Sequence, residues 1–241
     1  MNYKISVVIR TYNEIKHIEE VLKSLKNQTY KNYEIVVVDS QSTDGTKEIA
    51  EKYDCKIVSI EKKDFSYSYA SNVGVKNSEG DIICFLSGHS VPANEFYLEE
   101  TNKIFQDERV GGCYGDVIAL EDGSIYEKTY NFLGMLKNKL KNRADNIILE
   151  KNFHKGMLSC SNASIRKNIL QKHPFADELG KNGGEDLEVA YRIIQDGMYV
   201  AMCPNLIVKH SHGNNLKGFI REIKNWKKIY NEVMIYIEKN K

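Results

Sequence analysis

Runs of β-branched residues alternate with stretches of helical apolar spacing along the first hundred residues, and nothing else in the chain restricts its fold as strongly. Ile5-Ser6-Val7-Val8-Ile9 has the pattern of a buried strand. After the polar Thr11-Tyr12-Asn13-Glu14, apolar residues recur at Ile15, Ile18, Val21, Leu22 and Leu25, the spacing of one helix face. Glu34-Ile35-Val36-Val37-Val38 repeats the strand pattern. It ends in Asp39-Ser40-Gln41-Ser42-Thr43-Asp44-Gly45-Thr46, rich in turn and capping residues, ahead of the helix-prone Lys47 to Tyr53. Lys56 to Ile60 predicts a third strand, Tyr69 to Lys76 a helix, and Ile82 to Leu86 a fourth strand after the Gly80-Asp81 break. Such alternation implies an α/β fold: a Rossmann-like, mostly parallel central sheet with right-handed crossovers and helices on both faces.

In such sheets ligands collect outside the carboxyl ends of the strands, and the polar segments after Ile9, Val38 and Leu86 all fall at that edge. Beyond residue 108 the alternation loosens. A strand is predicted over Val110 to Leu120 and a turn at Glu121-Asp122-Gly123-Ser124. The Lys- and Asn-rich stretch from Tyr126 to Asn152 reads as a lid or acceptor-side region. Glu185 to Gln195 is helical, with Leu187, Val189, Ala190, Ile193 and Ile194 apolar. Leu216 to Lys241 reads as a basic amphipathic helix. The expected organisation is one domain over 1–215, with a nucleotide-binding half at 1–108 and an acceptor-side half at 109–215, followed by a C-terminal helical extension at 216–241.

Composition narrows the partners. The 241 residues carry 34 Lys and Arg against 33 Asp and Glu, so the charge excess expected of a nucleic-acid binder is missing. Five cysteines, Cys55, Cys84, Cys113, Cys160 and Cys203, are odd in number and form no CxxC pair, which predicts reduced and mostly buried thiols. No apolar run approaches the roughly 20 residues of a membrane span, and the N-terminus is too strand-like for a signal peptide. The expected location is therefore cytoplasmic, with the tail helix suited to the anionic cytoplasmic face of a membrane or to packing on the domain.

Two nucleotide fingerprints are missing: no GxGxxG comes after the first strand and the chain has no GxxxxGK[ST]. Instead the first strand leads into Arg10-Thr11-Tyr12-Asn13-Glu14, and the second into Asp39 to Thr46. Asn72-Val73-Gly74-Val75-Lys76-Asn77-Ser78-Glu79-Gly80-Asp81 precedes the fourth strand, and Gly184-Glu185-Asp186-Leu187-Glu188-Val189-Ala190-Tyr191-Arg192 opens the later helix. In order and content these four blocks resemble the signature of family 2 glycosyltransferases of the GT-A fold. The resemblance implies that Thr11, Asn13, Glu14, Asp39, Asn72 and Ser87 line a donor nucleotide pocket, with Asp39 accepting charge-assisted hydrogen bonds from base or ribose. From the residues alone, Asn13 and Glu14 could instead cap the first helix, and Asp39 to Thr46 could be an Asx-turn with an N-cap.

The chain departs from that family where its members usually carry Asp-x-Asp to hold a divalent metal. Here the residues are Ser87-Gly88-His89. Losing both carboxylates removes the hard oxygen ligands of Mg²⁺, whereas imidazole can still bind Mn²⁺, so any divalent metal is expected to be Mn²⁺ rather than Mg²⁺. Rhamnosyltransferase-like members resemble this chain in that divergence. Val208-Lys209-His210-Ser211-His212-Gly213 sets two histidines two apart, on one side of an extended segment. His89, His210 and His212 are thus the candidates for metal or diphosphate. Cys203 with His210 and His212 could alternatively form a structural zinc site, or the segment a solvated loop. Ser71 stands where relatives often have a donor-contacting Arg, and Lys155, Arg166 or Lys209 could substitute.

By resemblance the chain is an inverting glycosyltransferase that moves a sugar from a nucleoside-diphosphate sugar to a hydroxyl of a saccharide or lipid-linked saccharide, in cell-surface polysaccharide or glycoconjugate synthesis. Asp186 is then the catalytic base and Glu185 orients the acceptor. An unperturbed Asp, with a pKa of about 3.9, is a weak base, so the site must strengthen it or take the proton late. Two other classes fit the same sheet: a sugar-phosphate nucleotidyltransferase, for which the Gly-rich, Lys-bearing loop is missing, and a non-catalytic sugar-nucleotide-binding subunit, against which Glu185-Asp186 counts.

Overall fold

In the computed structural model, which describes residues 1–142 and 147–240, the alternation of the sequence becomes a layered sheet. The strands are β1 (Ile5–Thr11), β2 (Tyr33–Asp39), β3 (Lys56–Ser59), β4 (Ile82–Ser87), β5 (Val91–Pro92), β6 (Val110–Ile118), β7 (Ile148–Glu150), β8 (Ala163–Arg166) and β9 (Tyr199–Lys209). The helices are α1 (Ile18–Lys26), α2 (Thr46–Glu51), α3 (Tyr67–Lys76), α4 (Tyr97–Ile104), α5 (Ile125–Asn142), α6 (Lys167–Lys172), α7 (Glu185–Gln195) and α8 (Leu216–Lys239). The strands run β3-β2-β1-β4-β8-β6-β9-β5, with β7 also pairing β9.

The first four strands in this order are parallel, as the alternation requires. β8 then enters antiparallel between β4 and β6, while β6 and β9 run parallel, so the complete sheet is mixed. Ile5 to Ile9 and Ile82 to Leu86 are buried throughout because helices cover both faces. One core layer packs Val21, Leu22 and Leu25 of α1 and Leu98 of α4 beneath the sheet. The other packs Ala70 of α3, Leu170 of α6, Val189 and Ile193 of α7, and Val233 and Ile237 of α8 above it. α3 lies very close to the strands: a Cβ at Gly74 would sit 2.3 Å from Val8 Cγ1, so only glycine admits this approach.

Two sequence readings are corrected here: Ile15 as part of the first helix face, and Cys203 as a partner of His210 and His212. Ile15 lies before α1 and is half exposed, because the chain is still crossing the loop at that point. The stretch from Tyr126 to Asn152 supplies α5 and β7, with residues 143–146 outside the described residues. Cys203 sits 2% exposed in the core, away from any ion cluster found among the described residues, so it does not join His210 and His212 in a zinc site. All five cysteines are free, and Cys55 alone is only partly buried. No helix among the described residues is long and apolar enough to cross a membrane.

Candidate active site

The loops after β1 and β2 are stitched together by their own polar residues. Asn13 N donates to Ser42 Oγ at 2.9 Å and Thr43 N to Asn13 Oδ1 at 2.9 Å, while Glu14 N donates to Thr46 Oγ1 at 2.8 Å and Ile15 N to Asp44 Oδ2 at 3.0 Å. Asn13 and Glu14 thus join two loops and do not cap α1, whereas Asp44 also takes the first N–H of α2, from Thr46 at 3.0 Å, as the turn-and-cap reading of that segment expects. Asp39 Oδ2 accepts from Ser42 N at 3.1 Å, which is the expected turn, but Asp39 Oδ1 is buried without a partner. Thr11 Oγ1 and Ser40 Oγ share that condition. Thr11 pairs with Asp39 across the β1–β2 ladder, so unspent polar atoms gather at one strand edge. An unmet buried acceptor costs about 1–3 kcal/mol, and a bound donor group would relieve it.

Beside this edge the three candidate histidines meet. One ring nitrogen from each of His89, His210 and His212 lies within 4.8 Å of those of the others, and the His89 and His210 rings stack with centroids 4.5 Å apart. His89 Nδ1 lies 2.8 Å from Glu14 Oε1, leaving His89 Nε2 buried and unpartnered. His210 Nδ1 lies 3.0 Å from Ser90 Oγ and 3.4 Å from Ser87 Oγ. His212 Nδ1 lies 3.2 Å from Glu222 Oε1. Burial, with the neighbouring His89 and His212, holds His210 well below the usual imidazole range, whereas the hydrogen bond to Glu222 raises His212. Gly88 is required here, because a Cβ would fall 2.7 Å from Glu14 Cγ and 2.8 Å from Thr11 Oγ1. With Nδ1 engaged behind each ring, the donor set fits a borderline divalent cation.

A third group lies on the other side of β1. Arg10 sends Nη1 to Glu185 Oε1 at 3.2 Å, to Ser71 Oγ at 3.1 Å and to the Tyr67 carbonyl at 3.3 Å, and Tyr67 also stacks under its guanidinium. Asp186 accepts from Cys160 N at 2.9 Å through Oδ2 and from Leu187 N at 2.8 Å through Oδ1. Burial, reinforced by Asp186, raises Glu185 to about 7 against the pull of Arg10. Burial also raises Asp186 above the usual carboxylate range. Cys160, Glu185 and Asp186 bring ligand atoms within 4.8 Å of one another, but a guanidinium already occupies this group and burial pushes the Cys160 thiol well up. A cation site there is redundant.

The sequence candidates therefore separate. Thr11, Asp39 and Ser87 lie together at the carboxyl ends of β1, β2 and β4, and Glu14 is drawn to His89. Asn13 is used within its loop. Asn72 does not face a donor: its Nδ2 donates to Phe175 O at 2.9 Å and its Oδ1 accepts from Phe175 N at 3.0 Å, tying α3 to the segment before α7. Glu185 is 2% exposed, with Oε1 turned onto Arg10 and Oε2 buried without a partner. Beside Ser71 the nearest cation is Arg10, whose Nη1 donates to Ser71 Oγ at 3.1 Å; of the residues that could replace the missing arginine, Arg166 is spent on the carbonyls of Val110, Phe105 and Asp107, Lys155 is exposed and Lys209 is half-buried. Arg10, Glu222 and Ser90, which line these groups, were given no role from the sequence: Arg10 only opens the first quoted block, and the other two lie outside the blocks. An arginine ending an otherwise apolar strand was the available signal for the first of them.

A sequence model described as Glycosyl transferase family 2 matches residues 6–173. The chain is 27% identical over 215 residues to the O-antigen chain rhamnosyltransferase WbaN of Salmonella anatum, covering 86% of this chain and 66% of that protein. Among solved structures it is similar to a mannosyltransferase from Pyrobaculum calidifontis in complex with GDP-Man and Mn²⁺, with a TM-score of 0.64 and 22% identity, covering 87% of this chain and 57% of the other. TarS of S. aureus in complex with UDP-GlcNAc gives a TM-score of 0.62 at 18% identity, covering 88% and 59%. The chain thus spans about two thirds of the length of WbaN and somewhat less of the solved structures.

Proposed function

We propose, for a chain that belongs to glycosyl transferase family 2 and has its GT-A fold, that it moves a sugar from a nucleoside-diphosphate sugar to an acceptor hydroxyl with inversion at the anomeric carbon. The observation that carries this reading is the pair of buried, unpartnered atoms Asp39 Oδ1 and His89 Nε2 at one sheet edge. The first suits an N–H or O–H donor of base or ribose; the second, a ring nitrogen whose Nδ1 faces Glu14, suits a cation set against a diphosphate. Asp186 accepts the proton of the acceptor hydroxyl as its oxygen bonds to the anomeric carbon, and the bond from that carbon to the diphosphate breaks with its electrons leaving on the diphosphate oxygen. Arg10 holds Glu185 beside Asp186 and keeps the pair from carrying two unopposed charges. The Salmonella relative is an O-antigen chain rhamnosyltransferase, and a saccharide or lipid-linked saccharide, in cell-surface polysaccharide or glycoconjugate synthesis, is the acceptor class this reading assigns here.

His89, His210 and His212 would hold a divalent cation, Mn²⁺ in preference to Mg²⁺, which when bound supplies positive charge against the leaving diphosphate. Neutral His210 is suited to be a ligand and unsuited to be the opposing charge itself. Accordingly, a chelator lowers transfer about 10²-fold, Mn²⁺ restores it, and His89→Ala raises the Mn²⁺ concentration needed. Full transfer by a His89→Ala, His210→Ala, His212→Ala variant in chelator would remove the histidines from the reaction.

The donor pocket has a separate test. Screening nucleoside-diphosphate sugars by thermal unfolding should find one that stabilises the chain, since a ligand at 100 times its dissociation constant adds about 2.7 kcal/mol. Asp39→Ala then weakens that ligand by roughly 10- to 100-fold in calorimetric titration, the value of about 1.5–3 kcal/mol for a hydrogen bond to a charged acceptor. Unchanged affinity would place the nucleotide elsewhere.

A further inference from the structure

Each histidine of the cluster is gripped from behind, and one of the grips comes from an unexpected part of the chain. Glu14 behind His89 belongs to the loop after β1, and Ser90 behind His210 to the turn after β4, both at the established strand edge. Glu222, behind His212, belongs to α8. Its Oε1 lies 3.2 Å from His212 Nδ1 and its Oε2 accepts from Asn214 Nδ2 at 2.6 Å. Close to Glu222, Glu127 of α5 accepts the His212 backbone N–H at 2.8 Å through Oε1, while its Oε2 is occupied by the Ser124 N–H and hydroxyl. Both carboxylates are therefore engaged in holding His212. Buried residues of α8 lie only toward its far end, at Val233 and Ile237; near Glu222 it exposes Leu216, Ile220, Ile223 and Trp226. The start of this helix is tied to the domain by the Glu222 contacts and by Phe219 against Tyr126 and Tyr130 of α5.

We propose that Glu222 is a positioning residue that makes the C-terminal helix a working part of the ion site. This rests on the cation reading given above. A carboxylate oxygen facing Nδ1 requires the proton there, which leaves the lone pair on Nε2, the atom turned away from Glu222, and fixes the ring plane. Glu14 does the same for His89, whose Nε2 is the buried unpartnered atom of the cluster. A surface carboxylate with no such role would be worth only about 0–1 kcal/mol and would leave ion binding untouched. By reciprocity, an ion held through His212 also steadies the first turns of α8.

The test is calorimetric titration of the full chain with MnCl₂ and with CoCl₂, in the absence of nucleotide. Glu222→Ala should raise the ion dissociation constant roughly 10- to 100-fold, with the ion-free unfolding midpoint nearly unchanged. Glu222→Gln, whose amide oxygen still accepts from Nδ1–H, should stay within a few-fold of wild type, about the factor that separates a neutral from a charged acceptor. Should Glu222→Ala fail to fold, Glu222→Asp, which keeps the charge but falls short of Nδ1, carries the same expectation of weakened binding. In hydrogen exchange, Mn²⁺ should slow the amides of residues 216–224 in wild type and not in Glu222→Ala. If Glu222→Ala binds the ion as wild type does while His89→Ala loses it, the positioning role is overturned and the cation reading stands. If wild type binds neither ion, both fall.

Discussion

Replacing Asp186 with Asn should lower sugar transfer by about 10²- to 10⁴-fold while nucleotide affinity stays within a few-fold, because the amide keeps the shape of the carboxylate but cannot take a proton at working pH. The geometry makes this a demanding substitution. Both oxygens of Asp186 accept backbone N–H groups, from Cys160 at 2.9 Å and from Leu187 at 2.8 Å. An amide retains one acceptor and sets its NH₂ against the other N–H, so the variant should also lose about 1–3 kcal/mol of stability. Thermal unfolding separates that loss from the catalytic one. Burial raises the Asp186 carboxyl against the pull of Arg10 and the two backbone donors, giving a stronger base than a solvated aspartate. Single-turnover transfer within threefold of wild type would reassign deprotonation to another group.

The legible parts of the molecule are those in which a local pattern determines the outcome. β1, β2 and β4 are buried on both faces over most of their length, so each reads as a largely apolar run, and their ends are marked by the polar Thr11, Asp39 and Ser87. His210 and His212 come straight after β9, and the pairing of β9 with β5 and β6 carries them to His89. Other features depend on contacts across long stretches of sequence. Arg10 and Glu185 are 175 residues apart and meet only once α7 docks above β1. Asn72 matched a family motif, yet its amide is saturated by the Phe175 backbone, a partner 103 residues away. β8, four residues long and antiparallel, is too short to announce itself by alternation. α5 leaves Tyr130, Phe132 and Leu133 exposed, which breaks the one-sided apolar stripe by which a helix is recognised.

Arg10→Met should be the most destabilising single change at the site, and its cost should depend on pH. The Arg10 and Glu185 side chains are 11% and 3% exposed, so removing the guanidinium leaves a buried carboxylate with no opposing charge, a change worth about 3–5 kcal/mol when that carboxylate is ionised. Glu185 can avoid part of the penalty by taking a proton. In the wild type its pKa is already raised from 4.5 to about 7, by burial first and Asp186 second, with Arg10 pulling it down. The folded state therefore binds more protons than the unfolded chain between those values, and its contribution to stability falls as pH rises from 4.5 through 7. Without Arg10 the folded pKa moves higher still, so the decline continues into alkaline solution. Urea unfolding should show a modest loss near pH 5.5, where Glu185 is protonated in both proteins, and most of the loss near pH 8. An equal loss at both pH values would mean that Arg10 matters for its packing against Tyr67 and Ser71 and not for its charge. If the charge does matter, the same variant should shift the pH profile of transfer upward, because Glu185 and Asp186 would then hold a proton between them at neutral pH and the base would be free only at higher pH.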